Sequence, residues 1–343
     1  MKKVFNSIFS VCVFAYIMLP ILALAHVKWF VDTSDVISSQ HGKIPFYYLT
    51  SIEVLVWSAI SIIVVVLFSI FDRIIPEPKA LLRFSEKHSS TITKTASAIL
   101  GLYLISVTFL WKIILVPEVP IDSDTTYILG LIQIIAGLLF LLNRYVRLAS
   151  ILTFLLYIYI GVVTGPLILF ENALLFSLLI YFFIQYSPQT STWDYLRKAS
   201  IEIVRIGTGV TLIVLAFTEK LMYPELGLHF LSIHDWNFMQ HLGVHWFTDT
   251  LFVLSTGFAE MIFGVIFILG YLTRINTIAI ASFFAASVVT MFVQFGAWEV
   301  EDLVVYSAAI LFICYGHGHT KFFHVIPEKS FLRRIHIGTL FKR

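Results

Sequence analysis

Apolar stretches of about 20 residues recur from one end of the chain to the other, and no other feature constrains its fold as strongly. At about 1.5 Å rise per residue, such a stretch crosses a hydrocarbon core of about 30 Å as an α-helix. A helix also lets a single apolar segment satisfy its own backbone donors and acceptors away from water. Ten segments qualify: residues 4–24, 49–71, 95–116, 126–142, 146–164, 168–186, 201–222, 250–270, 274–294 and 301–316. The expected fold class is all-α, a polytopic transmembrane bundle of nine or ten membrane helices with the lipid bilayer as its principal partner. The chain is 59% hydrophobic and 13% charged, with a mean hydropathy of +0.90. Soluble domains average about 25% charged residues, so this balance excludes an ordinary water-soluble fold.

The placement of charge sets an orientation. With the N-terminus inside, all but Lys28, Lys43, Lys112 and Lys220 of the 23 Lys and Arg fall on the cytoplasmic side. This obeys the positive-inside rule at each crossing and puts the C-terminus in the cytoplasm. Trp29, Trp111, Trp236, Trp246 and Trp298 fall near segment ends, where an amphipathic ring suits the headgroup layer. The first run begins with Lys2-Lys3, contains Pro20 and ends in Ala23-Leu24-Ala25. It reads either as a signal peptide cleaved before His26 or as an uncleaved first helix.

Several chemistries find no support. Cys12 and Cys314 are far apart, without the clustered spacing of a disulfide framework or thiol redox centre. The net charge of +2 is too weak to indicate nucleic acid binding. No Walker loop, dinucleotide-binding glycine motif or GxSxG nucleophile motif occurs, which disfavours ATP-driven pumping and nicotinamide chemistry. No segment has a histidine in its interior, which disfavours a membrane haem held by two histidines.

An internal repeat relates residues 95–190 to residues 201–320. In one constant register Gly130 falls on Gly257, Gln133 on Glu260, Gly137 on Gly264, Phe140 on Phe267 and Arg147 on Arg274. Nearby, Leu110-Trp111-Lys112 corresponds to Thr218-Glu219-Lys220, and Glu171-Asn172 to Glu301-Asp302. The unit is four helices, so both copies have the same orientation and form a parallel repeat. Paired glycines seven residues apart share a helix face and suit close helix packing.

The second unit carries Arg205-Ile206-Gly207, Thr218-Glu219-Lys220-Leu221, Glu260 with Gly264 and Gly270, Thr273-Arg274, Asp302 and Gly316-His317-Gly318. In these motifs it resembles the DoxX family of four-helix membrane proteins. The acidic residue that usually follows the closing glycines is replaced here by Lys321-Phe322-Phe323. The resemblance implies a compact helical bundle in a bacterial inner membrane. It also implies a quinone-linked or redox-stress oxidoreductase context, with quinone as a possible cofactor and other membrane or redox proteins as partners. The chain then divides into residues 1–25 (signal peptide or first helix), 26–94 (an extracytoplasmic segment, a membrane helix and a cytoplasmic linker), 95–190 (first repeat), 201–320 (second repeat) and 321–343 (basic tail).

Candidate site residues follow from burial and donor type. Glu260 lies mid-helix, where inserting an acidic side chain costs about 2.5–3.5 kcal/mol. It is expected to be protonated, to bind a proton or quinone group, to pair with a cation, or only to fix bundle register. Lys220, beside Glu219, either snorkels to the interface or forms a buried ion pair. His241 and His245 stand four apart in the outer loop and, if that stretch is helical, share a face that a Cu or Zn ion can bridge. Cleavage at Ala25 would add the amine and ring of His26. Clustered His317, His319 and His324, among Lys and Arg, belong to a basic tail suited to anionic lipid. Three functions are compatible with these features: a DoxX-like subunit supporting a quinone-linked oxidoreductase, a transporter or channel for a small solute or ion, and a scaffold with or without an outer metal site.

Overall fold

The computed structural model describes residues 51–75, 78–296 and 300–316. The first apolar run, His26 and the tail from His317 onward lie outside the described residues. Helices dominate: α1 (Ile52–Ile74), α2 (Lys79–Lys87), α3 (Ser89–Ser106), α4 (Asp124–Leu141), α5 (Val146–Thr164), α6 (Leu167–Glu171), α7 (Ala173–Gln185), α8 (Ser191–Leu215), α9 (Pro224–His234), α10 (Phe238–His241), α11 (Asp249–Leu269), α12 (Thr273–Phe295) and α13 (Leu303–Tyr315). Six helical segments are long and apolar enough to cross a membrane: Ile52–Ile74, Ser89–Trp111, Asp124–Leu141, Val146–Thr164, Ala199–Leu221 and Asp249–Leu269. Shorter apolar helices cover Ala173–Gln185, Thr273–Val289 and Leu303–Tyr315.

Three segments depart from the sequence expectation. The segment expected at 95–116 ends as a π-helical turn at Val107–Trp111, because Lys112 is left-handed (φ 53°) and Pro117 and Pro120 follow. The chain then forms a short antiparallel hairpin, β1 (Ile113–Ile114) with β2 (Val116–Pro120). Expected residues 168–186 split into α6 and α7 at Asn172, whose side chain donates back to the Ile168 carbonyl at 3.0 Å. Finally, α8 starts ten residues before the expected 201 and ends in a second π-helical turn, Ala216–Leu221.

One end of the bundle gathers basic residues and is tied together by polar bonds. Asn143 donates to the Lys94 carbonyl at 3.2 Å and accepts from Tyr186 at 2.8 Å, which joins the start of α3, the α4–α5 turn and the end of α7. Asp72, next to Arg73, accepts the Leu272 N–H at 2.9 Å, and Arg274 donates to the Ile313 carbonyl at 3.0 Å. These bonds fix the direction of each helix relative to the basic end.

Packing follows small residues. A Cβ on Gly101 would lie 2.5 Å from the Gly137 carbonyl oxygen, and a Cβ on Gly209 would lie 2.5 Å from that of Gly264. Bare glycine faces thus bring α3 onto α4 and α8 onto α11 at backbone contact. The same two helices pack crosswise: α3 against α13, and α8 against α7. Helix α1 lies along α11, with Trp57 stacked on Phe258 and with Val64, Val65 and Phe68 against Ile262, Ile266 and Tyr271.

Candidate functional site: an acidic cavity in the bundle

Each π-helical turn changes what its helix end presents. Phe217 stays outward, while Thr218, Glu219 and Lys220 are all buried in succession. A regular 3.6-residue turn spreads three neighbours over about 200° of the helix, whereas the widened turn swings them toward the core. Gly257 makes room for this: a Cβ there would stand 3.2 Å from the Lys220 Cβ.

Lys220 is 1% exposed and its Nζ lies 2.9 Å from Glu260 and 3.9 Å from Glu219. Of the two roles open to Lys220, ion pairing is the one found, and the snorkelling expectation is corrected. The reason is depth. Gly257, level with Lys220, is eight residues inside α11, so Lys220 lies about 12 Å below that helix's start. Its sequence counterpart Lys112 is exposed.

Glu260 opens onto a small cavity of about 60 Å³, which Glu171, Glu219 and Glu301 also line. Among the described lining residues there are four glutamates and no Lys, Arg or His. Glu171 comes from the α6–α7 break and Glu301 from just before α13, so the short helices deliver one carboxyl each. Glu171, Glu219 and Glu301 are buried, and so is Asp302, next to Glu301 in sequence. Tyr103, Thr208, Thr211 and Thr277 add hydroxyls; the rest of the wall is largely apolar. Tyr103, Thr208 and Thr277 donate to the carbonyls of Leu115, Val204 and Thr273.

Sequence reasoning singled out Glu260 and Lys220, and the structure brings these two together. It passed over Glu171, Glu219 and Glu301 as site residues. The available signal was the Glu171-Asn172 and Glu301-Asp302 correspondence, which marks two equivalent helix starts able to face one shared cavity.

Gln133, which the sequence register sets against Glu260, is fully buried and bonded to its own surroundings. Its amide donates to Thr108 Oγ1 at 2.8 Å and to the Leu104 carbonyl at 3.2 Å, and its oxygen accepts the Leu115 N–H at 3.1 Å. Gln133 therefore ties the hairpin to α3 and α4.

Two arginines in the family-like motifs serve helix ends. The Arg205 guanidinium donates to the Phe267 and Ile268 carbonyls at the C-terminus of α11, beside left-handed Gly270. Arg274 does the same for Ile313 and Cys314 of α13, beside Gly316. A Cβ at Gly270 would lie 2.5 Å from Arg205, and one at Gly316 would lie 2.8 Å from Arg274. Each glycine supplies both the positive φ and the space for the cation, which also suits the helix dipole.

The outer loop differs from the sequence expectation. Helix α10 ends at His241, and the chain turns at Gly243 (φ 84°) before His245. The i and i+4 spacing therefore does not place the two rings on one helical face, and the geometric premise of the His241 and His245 metal pair is corrected. His241 Nε2 instead meets the Asp235 carbonyl at 2.9 Å, while His26 lies outside the described residues. Among the described residues no group of three or more His, Cys, Asp or Glu is arranged to hold a metal ion. The loop is fixed by its own small core of Leu226, Phe230, Leu231, Phe247, Phe252 and Val253. Comparison with protein-family models, with curated proteins and with solved structures gives no match that identifies a family for this chain.

Proposed function

We propose that the protein is a membrane carrier or channel component that binds a small cationic solute inside the bundle, with Glu260 as its principal charged contact. The carrying observation is the convergence of Glu171, Glu219, Glu260 and Glu301 on one cavity. Carboxyl groups buried at membrane depth are costly, and in transport proteins they mark substrate or proton pathways. Lys220 neutralises part of this charge and holds Glu260 in place. A cation arriving in the cavity competes with Lys220 for Glu260, which gives the pair the character of a ligand-sensitive latch.

The repeat reading is supported by the reciprocal packing. Each repeat's first helix, α3 or α8, ends in a π-helical turn, meets a glycine of its own unit and packs on the last helix of the other unit. A cavity between two parallel repeats is where transporters of this build hold their solute.

The DoxX-like, quinone-linked reading is the second. It draws on the family-like positions of Lys220 and Glu260. A quinone head offers carbonyl acceptors and needs donors, yet three of the cavity's hydroxyls already donate to backbone carbonyls. The wall is richer in carboxyls than in available donors, so the donor set fits a cation better than a quinone.

Proteoliposomes containing the protein should take up tetramethylammonium, a permanently charged probe, and Glu260→Gln should lower the rate at least tenfold. Uptake by Glu260→Gln equal to the unmodified protein would overturn the role of that residue. Absence of any cation uptake or binding, together with co-purifying quinone, would favour the second reading.

A further inference from the structure

We infer that the basic end of the bundle holds one anionic phospholipid at the α4–α5 turn, with its phosphate on Arg147 and Arg144 and its acyl chains along the exposed flanks of α4 and α5. The site lies outside the cavity and is independent of what the cavity carries.

Arg147 is the cation that marks the site. Its guanidinium carbon lies 4.6 Å from the Phe183 ring centre and 5.9 Å from that of Trp193, and its buried Nε has no hydrogen-bond partner among the described residues. The sequence register sets Arg147 against Arg274, which directs its guanidinium to the carbonyls at the end of α13. The corresponding carbonyls after α7, those of Ser187 and Pro188, are taken by Arg197 instead. Arg147 is thus held by the flat of its guanidinium. Its N–H edge is left for a phosphate, which the guanidinium fork fits in a bidentate way.

The surroundings favour an anion that carries its own apolar body. Asn143 ties the Lys94 carbonyl to this turn at 3.2 Å, so exposed Lys94 and Arg144 flank it. Residues 89–106 and 138–150 contain Lys94, Arg144 and Arg147 and no Asp or Glu, and Asp194, next to Trp193, is paired with Arg197. Helix α5 begins after left-handed Tyr145 with no side-chain cap, so its positive end adds to the same field. A choline headgroup would bring a further cation into this field, whereas a glycerol headgroup leaves the phosphate charge to neutralise it. Leu138, Leu142, Tyr145, Leu148 and Ile151 are exposed on the adjoining flanks, which gives acyl chains an apolar surface continuous with the charges. A soluble phosphate would use only the charged part.

The test titrates full-length protein in nonionic detergent with dioleoylphosphatidylglycerol or dioleoylphosphatidylcholine and counts bound lipid by native mass spectrometry. The first phosphatidylglycerol should bind about tenfold more tightly than the first phosphatidylcholine. Arg147→Gln should abolish most of that preference, and Arg147→Lys, which keeps the charge but not the flat fork, should not restore it. Arg144→Gln, an exposed change that leaves the packing intact, should weaken phosphatidylglycerol about fivefold. Lys79→Gln/Arg83→Gln, which removes two exposed cations from α2 at the same end, should leave the first binding event unchanged. Glycerol phosphate should neither bind nor displace the lipid at equal concentration. Equal affinity for the two lipids, unchanged binding by the Arg144 and Arg147 variants, or an α2 pair as damaging as Arg144→Gln would overturn the site in favour of diffuse surface charge. Glycerol phosphate binding as tightly as the lipid would replace the lipid with a soluble anion.

Discussion

At Lys220 one ammonium serves a buried carboxyl, Glu219, and a half-buried one, Glu260, and removing one side of such an arrangement costs more than removing both. Breaking a buried pair by deleting one partner destabilises by about 3–5 kcal/mol, whereas an apolar replacement of both partners is often near neutral. Lys220→Met should therefore lower stability by about that amount in a denaturant titration, and Lys220→Met with Glu260→Met should recover at least half of the loss. Equal losses in the single and double variants would refute the coupling. A second residue makes stability depend on pH. Burial against Phe230, whose ring centroid is 4.6 Å away, pushes the His234 imidazole below its ordinary range. The folded state thus binds this proton less readily than the unfolded chain. The resulting penalty is absent at high pH and grows as pH falls through the ordinary histidine value, about 6.5. His234→Gln should flatten the thermal stability profile of the outer loop between about pH 7 and 5; an unchanged slope would place the titration elsewhere.

Among the elements, the π-helical turns and glycine contacts set how closely α3 meets α4 and α8 meets α11. Gln133 anchors the hairpin through Leu115. Gln133→Leu leaves a buried backbone N–H without its acceptor, at a cost of about 1–3 kcal/mol. It should raise proteolysis of residues 113–120 without changing tetramethylammonium binding in the second half. Much of the helix plan was legible because 20-residue apolar periods and the paired glycines act locally: α5 spans the expected residues, and α4, α11 and α12 end within about two of them. The π-helical turns were not legible, since their cause is tertiary. Lys220, buried beside Glu219, meets its partner Glu260 only when the chain has gone forty positions on. The same is true of Glu171. In sequence it is one acid at the end of an apolar run, and only the break at Asn172 turns it into the cavity.

In the whole molecule, charge is divided between two places: arginines and lysines at one end of the bundle, glutamates in the half of the cavity farthest from them. The site was legible only as far as Glu260 and Lys220, because facing helices from distant parts of the chain cannot be paired by spacing alone. Their assembly nevertheless has a consequence for orientation. If the basic end lies in the cytoplasm, as charge bias directs, the acidic half of the cavity lies toward the outer side, and external cations meet carboxyls before they meet the apolar wall. Two exposed positions report this, Arg144 at the α4–α5 turn and His245 in the loop before α11. In a Cys12→Ser/Cys314→Ser background, His245→Cys should react with a membrane-impermeant maleimide in intact cells, and Arg144→Cys only after permeabilisation. The reverse pattern would invert the molecule and turn the acidic half toward the cytoplasm. Cation uptake by proteoliposomes would then survive, while the direction from which the solute reaches Glu260 would be opposite to the one the basic end implies.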